Sequence, residues 1–226
     1  MADRQYFEYG EKEIQWLQSR DPILGAAIDE IGYIKREVIP DMFMALINAI
    51  VGQQISTKAQ VTIWNRIQDK LSPLTPETVG AMSAEALQSC GISMRKSMYI
   101  KNIADSVQSG SLDLMELHTL PDEEVCRQLS QIKGMGVWTA QMLLIFSMGR
   151  PNVLSWNDLA IHRGVRMLYH HRKITPKLFE KYKRRYAPYA TAASLYLWAI
   201  AGGACPNLVD YAPKINTKHK NDIIGN

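Results

Sequence analysis

The chain has 226 residues, 46% hydrophobic and 21% charged, with a formal net charge of +4, which is material for one sizeable domain or two small lobes and admits a polyanionic partner without requiring one. Three scattered cysteines, Cys90, Cys126 and Cys205, exclude a disulfide framework and a C-x-x-C zinc site. No apolar run reaches the length of a membrane span, and the polar opening MADRQYFEYGEKE lacks a signal-peptide core, so an intracellular protein without a membrane partner is expected.

Helical spacing dominates and no period-2 stretch stands out. Asp21-Pro22 begins a helix that runs through Ile28 and is interrupted at Gly32. Pro40-Asp41 starts the next, with Phe43, Ile47 and Ile50 on one face, and Gly52 breaks it. Ser56-Thr57 caps a helix carrying Ala59, Ile63, Ile67 and Leu71, and Ser72 to Pro76 reads as a loop. Short helices follow from Ser83 to Gly91 and from Ser93 to Gly110, the second with Tyr99, Ile103 and Val107 inside. Pro121 opens another, with acids in its first turn against the positive end of the dipole. Val137 to Phe146 is apolar enough to be buried, and a further helix starts at Trp156-Asn157-Asp158 with Ile161, Val165 and Leu168 on one face. Thr175-Pro176 begins a basic helix that Pro188 ends, and Ala190 to Ala201 is the last buried one. The expectation is an all-α chain of about ten helices in two lobes. Its divisions are an N-terminal segment 1–39, a core 40–213 onto one lobe of which that segment packs, and a polar, mobile tail 214–226.

Gly134-Met135-Gly136 between two helical patterns demands a tight turn, since glycine serves where φ is positive or something approaches the backbone closely. The amides there stand at a helix N-terminus, a ready anion site, and Lys133 adds a positive charge. An ordinary αα-turn with a glycine cap would look the same. Likewise Asp158, twenty positions after Trp138, would by itself be an N-cap. The glycine hairpin and the acid together are more particular.

The segments IKGMGVWTAQMLLIF and NDLAIHRGV, with ALINAIVGQQIS, GISMRKSMYIKNIA and YAPYATAASLYLW, resemble the helix-hairpin-helix superfamily of base-excision DNA glycosylases. They are similar in particular to its alkylpurine branch, the 3-methyladenine DNA glycosylase II type, in the family's order over roughly residues 40–202. The resemblance implies a compact two-lobed helical fold with a cleft between the lobes. It implies a monofunctional enzyme that flips alkylated purines (3-methyladenine, 7-methylguanine) out of double-stranded DNA and excises them in base excision repair, working as a monomer in the cytoplasm or a nucleus.

Residue by residue, the resemblance puts the catalytic carboxylate at Asp158, preceded by Asn157 where most members have a second acid. Asn157 is expected to cap the helix, so that the two divide the roles of capping and catalysis. Trp138, Met142 and Trp198 match positions lining the base pocket, and Trp156 could wall it too. Gln54, beside Gln53, matches the side chain that fills the gap left by a flipped nucleotide. Phosphate contacts fall to Lys133, Gly134, Gly136 and Thr139, with Arg95, Lys96 and Lys101 as an extension or simply a solvated face. Backbone carbonyls of Ser130, Ile132 and Met135 match a site for a structural Na+ or K+. Trp138 stands where bifunctional members have a Schiff-base lysine, so no lyase activity is expected. Cys205 alone replaces the four-cysteine pattern of iron–sulfur members, so no cluster is expected. The alternative, a non-catalytic helix-hairpin-helix clamp, would have no use for Asp158.

Overall fold

The computed structural model describes residues 4–213. Its elements in chain order are β1 (Gln5–Tyr6), α1 (Glu11–Arg20), α2 (Pro22–Ile31), β2 (Glu37–Val38), α3 (Met42–Gly52), α4 (Thr57–Lys70) and α5 (Pro76–Ala81). There follow α6 (Ala84–Gln88), α7 (Met94–Gln108), α8 (Leu114–Thr119), α9 (Asp122–Leu129), α10 (Val137–Phe146), α11 (Leu159–Tyr169), α12 (Pro176–Tyr186) and α13 (Ala190–Ala201). The chain divides into two compact units: the residues up to Glu8 with Lys35–Val153, and Tyr9–Ile34 with the chain from Leu154 onward. The N-terminal segment is thus shared between units, β1 going to the first and α1 and α2 to the second. The expected tail, 214–226, lies outside the described residues.

Most helix starts are set by side chains that accept from the orphan amides of the first turn. Asp41 accepts from the Met44 amide at 2.8 Å, Ser56 from Ala59 at 3.3 Å, Ser83 from Ala86 at 3.1 Å and Thr175 from Leu178 at 3.3 Å. The all-α expectation holds, with thirteen helices among the described residues instead of ten and one two-stranded antiparallel ribbon, Gln5 opposite Val38 and Tyr6 opposite Glu37. The unanticipated helices are α1, α5 and α8, which have few apolar positions each. In α5, Thr75 accepts from the Thr78 amide at 3.3 Å while the Thr78 hydroxyl accepts from the Thr75 amide at 3.0 Å, so the stretch read as loop ends in a cap. On α7 the buried face is Ser97, Ile100, Ile103 and Ala104; Tyr99 and Val107 are half-buried. Among the described residues no helix is long and apolar enough to cross a membrane.

In the first unit α3 is packed by α4, α7 and α10, and its Ile47, Ile50 and Val51 are fully buried. The second unit is built on α11 against α13. Gly164 permits their approach: a Cβ there would overlap the Leu197 carbonyl oxygen and come within 2.9 Å of its carbon. A second lock is Asp21, 1% exposed, which caps α2 through the amides of Ile23 (3.1 Å) and Leu24 (3.0 Å). Its other oxygen takes the Tyr169 hydroxyl and the Arg185 guanidinium, each at 2.7 Å. Fixing α11 against α13 is what sets the position of whatever sits at the head of α11.

Gly164→Ala should therefore destabilise the protein by about 1–3 kcal/mol, the usual cost of overpacking against atoms that cannot move aside. Chemical denaturation would show this, and an unchanged midpoint would mean the two helices separate freely.

Candidate functional site

The α9–α10 hairpin turns through residues 130–136. The Met135 amide donates to the Ile132 carbonyl at 3.0 Å, and Gly134 takes φ +90°. A Cβ on Gly134 would also overlap the ring of Tyr99, which lies beneath the turn. Gly136 differs: it is the N-cap of α10 at φ −93°, and a Cβ there would meet nothing within 4 Å. The conformational demand thus falls on Gly134, whereas Gly136 leaves the helix end open to approach. The leading amides of α10 are those a helix cannot satisfy internally, and Lys133 is exposed beside them. Thr139, in the first turn of α10, is 7% exposed. Trp138 is 44% exposed, and Met142 one turn on is half-buried, so this face of α10 is more open than its composition suggests.

The α3–α4 turn belongs to the same unit. Gln54 is exposed and holds φ +57°, a left-handed conformation uncommon outside glycine. Beside it, the Gln53 Nε2 donates to the Gly134 carbonyl at 2.7 Å, tying the turn to the hairpin. Lys96 is not left to solvent. Its Nζ donates to the carbonyls of Val51 at 2.9 Å and Gln53 at 2.6 Å, and desolvation, then Arg95, lowers its pKa. Lys101 is spent likewise on the Gly80 and Met82 carbonyls, at 2.8 and 2.7 Å. Arg95 remains exposed.

In the second unit Asp158 is the N-cap of α11 and 6% exposed. Its Oδ1 accepts from the Ala160 amide at 2.9 Å and the Ile161 amide at 3.0 Å, and its Oδ2 accepts from the Trp198 indole at 3.2 Å. Asn157 is exposed and does not cap; the capping expected of it falls to Asp158. Trp198, on α13, therefore contacts the carboxylate itself. Trp156 stands edge-on to His162, centroids 4.6 Å apart, and to Phe179 at 5.1 Å. Burial lowers the pKa of His162, partly opposed by a hydrogen bond with the Trp156 backbone. The structure thus joins Asp158 with Trp198, and Gln53 with the hairpin. Sequence reasoning missed Tyr99 and the tasks of Lys96 and Trp198; the one signal was that the first two fall in a segment, GISMRKSMYIKNIA, used for the resemblance.

Gly134→Ala should cost about 1–3 kcal/mol, from left-handed strain and the Tyr99 overlap, and Gly136→Ala less than about 1 kcal/mol, the scale of a cap substitution. Thermal or denaturant unfolding of the two variants checks the order; equal losses would remove the distinction between the glycines.

Comparison with known proteins bears on this arrangement. The model of the HhH-GPD superfamily base excision DNA repair proteins matches residues 47–188, a span that includes both turns and Asp158. The sequence is 38% identical over 178 residues to DNA-3-methyladenine glycosylase 1 of Schizosaccharomyces pombe, covering 76% of either chain. A crystal structure of DNA-3-methyladenine glycosidase from Bacillus halodurans matches with a TM-score of 0.78 and 36% identity, over 90% of this chain and 95% of that one. That of the S. pombe 3-methyladenine DNA glycosylase Mag1 in complex with abasic DNA matches with a TM-score of 0.74 and 33% identity, over 85% and 97%. With the glycine hairpin and the buried aspartate inside the matched span, the chain belongs to the HhH-GPD superfamily of base excision DNA repair proteins.

Proposed function

We propose that this chain is a monofunctional DNA glycosylase that flips alkylated purines such as 3-methyladenine and 7-methylguanine out of double-stranded DNA and hydrolyses their N-glycosidic bond. It acts as a monomer wherever the genome lies, in cytoplasm or nucleus. The observation that carries the reading is the buried Asp158 carboxylate, held by two amides and an indole in a chain whose relatives bear the name DNA-3-methyladenine glycosylase.

Cleaving the N-glycosidic bond develops positive charge on the deoxyribose, and a carboxylate whose orientation is set in advance stabilises that charge without reorganising. The leading amides of α10, those of Gly134 and Gly136, and the ammonium of Lys133 grip backbone phosphate, which positions the enzyme without reading sequence. Gln54 fills the place of the extruded nucleotide. The exposed indole of Trp138 offers a face to a cationic methylated purine, worth about 0.5–2 kcal/mol. That is too little to reject intact purines; the greater leaving ability of a cationic base does the rest. With tryptophan at position 138, no amine is present there to form a Schiff base.

We infer too that the carbonyls of Ser130, Ile132 and Met135 hold Na+ or K+. Neutral backbone oxygens suit a hard cation, and Ser130 ends α9, where carbonyls lack intrahelical donors. Bound there, the ion would add positive charge to the phosphate grip and take no part in the chemistry. At fixed ionic strength, affinity for an abasic-site duplex should be higher in KCl or NaCl than in tetramethylammonium chloride, whose cation is too large for a cage of carbonyls. Equal affinities would rule the site out.

Asparagine is as good an N-cap as aspartate, so Asp158→Asn should fold normally. Release of free methylated base should fall by about a hundredfold or more, while abasic-duplex binding stays within about a few-fold, as expected for loss of a group acting on transition-state charge. Undiminished release would sink the assignment of Asp158. A parent chain that binds duplex yet releases no base would be a clamp.

A further inference from the structure

The α3–α4 turn carries a device that the proposed activity does not by itself call for. Gln54 sits in a left-handed conformation that residues other than glycine seldom adopt. Such a residue keeps its conformation only where its surroundings over-determine it. Here they do so from several sides. Immediately before it, the Gln53 carbonyl is taken by the Lys96 ammonium at 2.6 Å, and the same ammonium holds the Val51 carbonyl at 2.9 Å. The Gln53 side chain reaches the hairpin, at the Gly134 carbonyl, 2.7 Å away. Behind the turn, Gln60 of α4 bonds the Asn48 side chain at 2.9 Å, and a Cβ on Gly52 would come within 2.5 Å of that glutamine amide.

Lys96 and Tyr99 lie three residues apart on α7 and so share a face. One supports the Gln53 carbonyl; the other lies under Gly134. A single helix face thus fixes both the turn that presents Gln54 and the hairpin turn. A partly buried lysine bonded to two carbonyls is there to hold backbone, since a solvated lysine would satisfy itself with water at less cost in side-chain entropy.

We propose that Lys96 is a positioning residue for base extrusion: it fixes the Gln53–Gln54 backbone in register with the phosphate-gripping hairpin, so that Gln54 enters the duplex in one direction. This rests on the glycosylase reading and on Gln54 as the residue that enters. Lys96 touches neither base nor sugar; it acts through Gln54, with Gln53 as the tie to the hairpin.

The test compares single-turnover release of a methylated purine opposite its normal partner with release of the same base opposite a mismatch, where less help is needed to leave the stack. Lys96→Met should slow the paired substrate by about tenfold, the scale of losing charge-assisted hydrogen bonds, and the mismatched one by less than about twofold. Lys96→Arg, which keeps a cationic donor, should recover part of the difference. In a Gln54→Ala background Lys96→Met should add nothing on the paired substrate, because the residue it positions is gone. Equal slowing on both substrates, or full additivity with Gln54→Ala, would overturn the proposal in favour of a purely structural lysine. Where Lys96→Met does not fold, Gln53→Ala decides by the same comparison, since it cuts the hairpin tie and leaves α7 intact. The parent's rate on the mismatched duplex reports on the glycosylase activity separately, so failure of that reading and failure of this one are told apart.

Discussion

An α-helix begins with amide donors that it cannot satisfy itself, and this chain answers that constraint in two ways, one in each unit. At α11 the chain supplies its own acceptor, the Asp158 carboxylate, which is drawn into the protein and oriented by the amides of Ala160 and Ile161. At α10 the N-cap is Gly136, which brings no side chain. One helix start thereby fixes an anion belonging to the protein, and the other brings no side-chain acceptor to its leading amides. The rest of each unit keeps these starts in place: Gly164 lets α11 and α13 meet, and Tyr99 and Gln53 support the hairpin.

Asp21 and Asp158 make an instructive pair within the second unit. Both are buried N-caps whose first oxygen accepts from the second and third amides of a helix. They differ in what meets the second oxygen. Asp21 receives a guanidinium and a phenol, so its charge is matched and its role is to clamp α2 to α11 and α12. Asp158 receives the N–H of an indole, a neutral donor that orients the oxygen. The same capping geometry thus serves a structural carboxylate in one place and is suited to a chemical one in the other.

What was legible in the sequence was what is local. Ser56, Ser83 and Thr175 announce their helices because a cap acts within three residues, and the G-x-G turn and Asp158 are likewise short-range signals. α1, α5 and α8 were not legible. They bury one residue each, Leu17, Val79 and Leu117, too few to write an apolar helical pattern into the sequence. Nor does a sequence distinguish a lysine in water from one whose ammonium lies on a carbonyl 43 residues away, as Lys96 does. Which of two adjacent residues caps a helix, or which of two glutamines projects, turns on one backbone angle. So the cap expected of Asn157 is Asp158, and of the two glutamines Gln53 bonds the hairpin while Gln54 takes the left-handed angle. Trp198 was read as a face, whereas its edge meets a carboxylate 40 positions earlier.

The division of the chain has a consequence in time. α1 and α2 bring Leu17, Leu24, Ala27 and Ile28 to a core whose other buried members come from residues beyond 153. A ribosome adds about 5–20 residues per second, so residues 35–153 occupy it for on the order of ten seconds. By the end of that interval the first unit has its chain, while throughout it the apolar faces of α1 and α2 wait for their partners. The growing chain therefore carries the apolar faces of α1 and α2 exposed until the residues beyond 153 emerge, and that segment is where a chaperone would find it or where two nascent chains would stick.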